Sequence, residues 1–170
     1  MIPILRFIIF SKFIRRSEIH MIEKLSKTVL VIEDNPASIK YIQTHLQKNN
    51  YKTVIADGGF DGLNKARSVR PDLILLDIML PDLDGHKLCR MIKNNNNLKG
   101  IPVAMFTSRD TDEDAEMAKK CGADAFILKS TRIQIVMDIL EKLILDSEKK
   151  KQEKHKGENQ SETSSETRAE

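Results

Sequence analysis

Cysteine is scarce in this chain of 170 residues, with Cys89 and Cys121 as its two copies. They stand 32 positions apart with no CxxC and no neighbouring histidine pair, so neither a zinc site nor a disulfide framework is indicated. Two free thiols in helices, in a reducing compartment, are expected. Long apolar runs are also missing, because nothing approaches the roughly 20 residues that a membrane helix needs. Residues 1–10 are apolar apart from Pro3 and Arg6, but no small-residue cleavage site follows as a secretory signal requires. Charge of one sign is the third shortage. The formal net charge of +3 arises in residues 1–26, which hold five Lys/Arg against two Asp/Glu. Residues 27–145 hold seventeen against sixteen and residues 146–170 six against seven, so no global basic field exists to hold nucleic acid. No internal repeat is visible.

The charge count already separates three pieces. Residues 1–26 form an N-terminal extension with two readings. One is a short membrane-surface helix built on residues 1–10 and continued by Lys12, Arg15 and Arg16. The other, which we prefer, is that translation starts at Met21 and the first twenty residues are upstream sequence read in frame. Past Asp146 apolar residues nearly vanish, and Lys149-Lys150-Lys151 gives way to Ser, Glu, Thr and Gln. Such a composition buries too little surface to offset ordering entropy, so residues 147–170 read as a disordered charged tail. The acidic residues after the lysine run cancel its charge. Between these ends, residues 27–146 suit a single domain.

Within that domain strand and helix signals alternate. Residues 29–32 are a branched apolar run ending in Glu33-Asp34-Asn35-Pro36, where proline suits a first helical turn. Ile39, Ile42 and Leu46 give the following helix its apolar stripe, and Asn49-Asn50 ends it. Residues 51–56 read as a second strand, and a helix carrying Leu63, Ala66 and Val69 runs from Gly58-Gly59 until Pro71 stops it. Residues 73–76 are four apolar residues between Asp72 and Asp77, the pattern of a central parallel strand covered on both faces. A loop with Pro81 and Gly85 leads to a helix through Leu88 and Ile92, which dies in the asparagine run 94–97. Residues 102–107 predict the fourth strand and residues 110–116 a helix start. Residues 125–128 predict the fifth strand, and a last helix spans 131 to about 145. Five such pairs predict a flavodoxin-like, doubly wound parallel sheet with helices on both faces, whose ligands bind beyond the carboxyl ends of the strands.

At those ends stand Glu33-Asp34, Asp77, Thr107-Ser108 and Lys129. Three carboxylates gathered there raise one another's pKa unless a cation intervenes, and a hard divalent ion with oxygen ligands, Mg²⁺ foremost, suits them. A carboxylate at a strand tip can also be a nucleophile toward a phosphoryl group, with Lys129 and the Thr107 hydroxyl meeting the phosphoryl oxygens. Each residue has a plainer role as well. Asp34, Asp77, Thr107 and Ser108 are all capping types, Phe126 is core by default, and His20, His45 and His86 read as scattered surface residues. Gly58-Gly59-Phe60-Asp61-Gly62 does not follow the first strand as GxGxxG does, which argues against a dinucleotide.

Four segments in order resemble the CheY-like receiver domains of two-component response regulators. They are the first strand with Glu33-Asp34-Asn35, residues 71–85 from Pro71 through Asp77 to Pro81-Asp82-Leu83-Asp84-Gly85, Met105-Phe106-Thr107-Ser108, and residues 122–129 ending in Lys129. The resemblance covers the folded part and implies the strand order 2-1-3-4-5. It implies Asp77 as phosphoacceptor, and Glu33, Asp34, Asp77 and the Met79 backbone carbonyl as the Mg²⁺ site. It further implies Thr107 as switch hydroxyl, Phe126 as its aromatic partner and Lys129 as phosphate-contacting cation. The implied donor is a histidine kinase or histidine phosphotransfer protein. The implied output is a downstream protein, or a phosphorylation-driven homodimer, on the face of the fourth helix, fifth strand and fifth helix. The setting would be cytoplasmic, with no direct contact to nucleic acid.

Departures from the family pattern matter too. Ser130 stands where proline usually follows the lysine, and Phe126 lacks a hydroxyl. Met79 and Arg109 line the approach of hydrolytic water in the family, so this bulky pair is expected to slow dephosphorylation. The leading expectation is a single-domain signalling switch, not an enzyme apart from its own phosphorylation and dephosphorylation. The alternative is a pseudo-receiver, a phosphorylation-independent interaction module. A phosphohydrolase of the haloacid dehalogenase type needs a second carboxylate two residues after the nucleophile, where this chain has Met79.

Overall fold

A computed structural model of the chain describes residues 27–166, with side chains described as far as residue 153. The expectations for residues 1–26, the start at Met21 among them, lie outside the described residues, as does His20.

Strands and helices alternate as β1 (Thr28–Ile32), α1 (Pro36–Lys48), β2 (Lys52–Ala56), α2 (Gly59–Val69), β3 (Leu73–Leu76), α3 (Gly85–Asn94), β4 (Val103–Thr107), α4 (Asp112–Lys120), β5 (Ala125–Leu128) and α5 (Ile133–Glu166). The five strands form one parallel sheet in the order β2-β1-β3-β4-β5, the order that the family resemblance implies. Register aligns the strand ends. Ile32 pairs with Leu76 and Thr107 with Leu128, so the residues just past β1, β3, β4 and β5 leave the sheet at one edge.

The two-residue period of a strand explains the unbroken apolar runs. Val29, Val31, Leu73, Leu75, Ala104 and Phe106 point to one face, where Ile42 and Leu46 of α1 and Val136, Leu140 and Ile144 of α5 meet them. Leu30, Ile32, Ile74, Leu76, Val103 and Met105 point to the other, against Leu63 of α2, Leu88 and Ile92 of α3 and Ala118 of α4. Each fully buried leucine or isoleucine contributes about 1.5–3 kcal/mol relative to an exposed one.

The tail departs from expectation. Instead of ending near residue 145 and giving way to disorder, α5 continues to Glu166. Packing nucleates the helix, and once nucleated it adds one hydrogen bond per residue, first through residues 148–154, a run of Lys, Glu and Gln that are all good helix formers. Contacts back to the domain hold the first part of the extension. Ser147 Oγ donates to the Gly100 carbonyl at 3.3 Å, and Glu148 pairs with Lys27. Among the described residues no helix is long and apolar enough to cross a membrane.

Candidate functional site

The strand ends deliver the acidic residues in fixed positions. The Asp77 amide donates to the Ile32 carbonyl at 2.9 Å and the Glu33 amide to the Ala56 carbonyl at 3.0 Å, which carries the sheet's bonding one residue past each strand. Glu33 and Asp77 are therefore buried, at 3% and 6% exposure, whereas Asp34 is exposed. One oxygen from each of the three carboxylates lies within 4.8 Å of the others.

Lys129, just past β5, reaches this group. Its Nζ stands 2.6 Å from Glu33 Oε2 and 2.8 Å from Asp77 Oδ2. The Lys129–Ser130 bond is trans, so serine in place of proline does not keep the ammonium from the acids. Burial pushes the Glu33 carboxyl above the ordinary glutamate value, more than its bonds to Lys129 and the Asn35 amide pull it down. For Lys129 burial favours loss of the proton, but the bonds to Asp77 and Glu33 outweigh it and hold the ammonium above the ordinary lysine value. One ammonium leaves three carboxylates under-compensated. The donor set is all oxygen, without sulfur or imidazole, and so fits a hard divalent cation.

The rest of the Asp77 carboxylate is engaged by backbone. Oδ1 accepts from the Ile78 amide at 2.7 Å and the Met79 amide at 3.3 Å. The chain then returns to start α3 so closely that a Cβ on Gly85 would lie 2.2 Å from the Asp77 carbonyl oxygen. Only glycine fits there. The Met79 side chain is 61% exposed at the mouth of the site.

Thr107 ends β4 fully buried, and its Oγ1 accepts from the Arg109 amide at 3.2 Å. Its hydroxyl is therefore turned toward its own loop. Phe126, on the adjacent strand, is half-buried against the α2–α4 side of the core. The structure thus brings Glu33, Asp34, Asp77 and Lys129 together and places Thr107 and Phe126 on the neighbouring strands.

Some residues sit where the sequence pattern does not put them. His86, expected on the surface, is buried at 8% exposure because the start of α4 covers it. Its Nε2 lies 3.3 Å from the Asp114 carbonyl oxygen and its Nδ1 3.8 Å from the Asp84 carboxylate. His45 is half-buried, its ring edge-on to Tyr41 with centroids 4.8 Å apart. Asp114 ties up the β4–α4 loop, accepting at Oδ2 from Arg109 Nε at 2.7 Å and Thr111 Oγ1 at 2.7 Å. Burial opposes its charge, but those two bonds and the guanidinium win and lower its pKa. The sequence carried one clue, since Thr111 and Asp114 have the spacing of a capping box with aspartate in the fourth place. Cys89 and Cys121 prove to be neighbours, with Cys89 Sγ 3.6 Å from the Cys121 carbonyl oxygen. Both are buried and free, and burial first, then Cys121, pushes the Cys89 thiol well above its usual value, so it is unreactive. At the opposite end of the sheet a cavity of about 780 Å³ is lined by Lys93, Lys99, Asp124 and Lys150, among others, away from the carboxylates.

A model of the response regulator receiver domain matches residues 29–141. The chain belongs to that family. Among receiver relatives, the polar-differentiation response regulator DivK of Brucella anthropi is 29% identical over 123 residues, which are 72% of this chain and 100% of DivK. The alkaline phosphatase synthesis transcriptional regulatory protein PhoP of Bacillus subtilis is 32% identical over 105 residues, 62% of this chain. That match spans only 43% of PhoP's own length. A solved structure of the receiver domain of the sensor histidine kinase PA1611 from Pseudomonas aeruginosa superposes with a TM-score of 0.65 at 27% identity, covering 69% of this chain and 97% of that one. That receiver holds a magnesium ion coordinated in its active site cleft. Receiver domains are signalling switches of two-component systems, and the five-stranded order 2-1-3-4-5 found here is theirs.

Proposed function

We propose that this receiver takes a phosphoryl group on Asp77 and works as a single-domain response regulator. The observation that carries the reading is the buried Asp77 carboxylate at the tip of β3, grouped with Glu33 and Asp34 within 4.8 Å and bridged by Lys129. Support for a receiver acting without an attached output domain comes from DivK, whose entire length is covered by the match.

Asp77 Oδ1 is held by two backbone amides, which leaves Oδ2 as the attacking oxygen. It bonds to the phosphorus of a phosphohistidine on a histidine kinase or phosphotransfer protein while the phosphorus–nitrogen bond breaks. The imidazole leaves and a mixed anhydride remains on Asp77. Lys129, already 2.8 Å from Oδ2, follows the negative charge onto a phosphoryl oxygen. The Thr107 hydroxyl gives up the Arg109 amide and donates to another. Phe126 takes up the space that Thr107 vacates. Glu33, Asp34, Asp77 and the Met79 carbonyl would hold Mg²⁺, which when bound neutralises phosphoryl charge. The magnesium-bearing receiver of PA1611 supports that ion.

Movement of Thr107 pulls on the β4–α4 loop, and so on α4. The output is a changed protein-binding face of α4, β5 and α5, where Met117 and Ile135 are exposed. A cytoplasmic downstream protein, or a second copy of the chain, would bind there. A shift of a few kcal/mol between two arrangements suffices for such a switch.

The test is incubation with acetyl phosphate and Mg²⁺ followed by intact mass. One added phosphoryl group, absent in Asp77→Asn and absent without the metal, is expected. No gain under conditions that label a known receiver would overturn the reading in favour of a phosphorylation-independent interaction module.

A further inference from the structure

Helices α1, α3 and α4 each start on a residue whose own side chain accepts a freed amide, Asn35, Asp84 and Thr111 respectively. Helix α2 has no such residue, since its N-cap is Gly58. Its first amides are instead taken by Asp82, which lies in the loop joining β3 to α3. Asp82 Oδ1 accepts from the Gly59 amide at 2.7 Å and Oδ2 from the Phe60 amide at 2.9 Å. Those bonds hold the Asp82 carboxyl below the ordinary aspartate value although it is exposed. The start of a helix favours such an anion.

The shapes agree with the bonds. A Cβ on Gly58 would meet the Asp82 carboxylate at 3.0 Å, and one on Gly59 would meet Leu83 Cβ at 2.7 Å. The glycine pair thus clears the ground on which the loop lands. The loop is pinned at its ends as well, by the amides on Asp77 Oδ1 and by the Gly85 amide donating to the Ile78 carbonyl at 2.9 Å. Leu80 and Leu83 pack on the edge of the core. Met79 lies between the pinned Asp77 and the docked Asp82.

The structure assigns Asp82 the role of a positioning residue for the acidic site: by clamping the loop onto α2 it fixes the backbone at Met79, whose carbonyl would join Glu33, Asp34 and Asp77 in holding a cation. This rests on the reading of the site as a Mg²⁺-dependent phosphoacceptor. It also makes the start of α2, otherwise remote from the chemistry, part of the support of the metal site.

The experiment measures Mg²⁺ affinity of the full chain by calorimetry, beside the rate of labelling by acetyl phosphate at saturating Mg²⁺. Asp82→Ala is expected to weaken Mg²⁺ about tenfold, the low end for loss of a group that orients a metal ligand. Asp82→Asn keeps one acceptor and should fall between it and the parent. At saturating Mg²⁺ both variants should label near the parent rate, because the nucleophile is untouched. Lys65→Met serves as the structural control, removing bonds to the Ile55 carbonyl at 2.7 Å and to Asp61 at 2.6 Å elsewhere on α2. It should lower the melting temperature and leave Mg²⁺ affinity alone. Parent-like Mg²⁺ affinity in both Asp82 variants, or an equal loss in Lys65→Met, would overturn the assignment while leaving the phosphoacceptor reading intact. A parent protein that binds no Mg²⁺ would overturn both.

Discussion

Substituting Gly85 by alanine drives a methyl group against the nucleophile's own peptide. The new Cβ would stand 2.2 Å from the Asp77 carbonyl oxygen and 2.7 Å from Ile78 Cα, where contacts under 3.0 Å do not persist. Relief requires a relative shift of about 0.8 Å, and the obstructing atoms are backbone rather than a side-chain end that rotates away. Overpacking of this kind costs about 1–3 kcal/mol, and the rigidity of the β3 end puts Gly85→Ala near the top of that range. For a domain of this size the loss corresponds to a melting temperature lower by roughly 10 °C. A displacement approaching 1 Å at a reacting group costs about 10²-fold in rate, so labelling by acetyl phosphate should slow by that order.

Two further glycines calibrate the experiment. Gly62→Ala would meet the end of the Ile32 side chain at 2.5 Å, so it should destabilise without slowing labelling. Gly100→Ala has no atom within 4 Å and should change stability by no more than about 0.5 kcal/mol. Thermal melts and timed intact-mass spectra read both quantities for all three variants. Parent-rate labelling by Gly85→Ala would refute the reasoning, because the strain would then be absorbed by α3 without reaching Asp77.

The buried Glu33, its carboxyl raised by burial, favours the folded chain most when protonated. That contribution is fully present below the unfolded value of 4.5 and is lost as pH rises through the raised folded value. Glu33→Gln should therefore raise the melting temperature of the metal-free protein at pH 7 and flatten its pH dependence, while weakening Mg²⁺; a lower melting temperature would contradict this. On acidification, Mg²⁺ affinity of the parent should begin to fall at a pH above the ordinary glutamate value, which calorimetry across pH checks. Met79→Asn should shorten the lifetime of the phosphoprotein by opening the approach of water past the exposed Met79 side chain, and an unchanged or longer lifetime by intact mass would sink the idea. Leu30→Ala, in the fully buried centre of β1, should cost about 3–5 kcal/mol in urea denaturation, against a small effect for the exposed Leu145→Ala.

Much of this molecule is written locally. A run such as residues 73–76, four apolar residues between carboxylates, has the pattern of a strand covered on both faces, and five short strand signals separated by amphipathic stretches leave the doubly wound sheet as the economical arrangement. The same local pattern puts Glu33, Asp34, Asp77, Thr107 and Lys129 just at or past strand ends, so their gathering at one edge follows from parallel strands alone. What escaped were contacts made across the chain by side chains of ordinary appearance. His86 reads as a surface residue until α4 is laid over it, and Asp82 reads as one more loop acid until α2 turns out to lack a cap of its own. The length of α5 escaped for a related reason, because composition speaks of the isolated tail while the helix grows from a packed start at residue 133. Periodicity and turn chemistry, properties of neighbours in sequence, thus determined the elements, their order and the edge where chemistry gathers. Which oxygen Lys129 holds, where the Thr107 hydroxyl points and what clamps the loop beside Asp77 were decided only by tertiary packing, since each depends on distances between residues that the sequence leaves far apart.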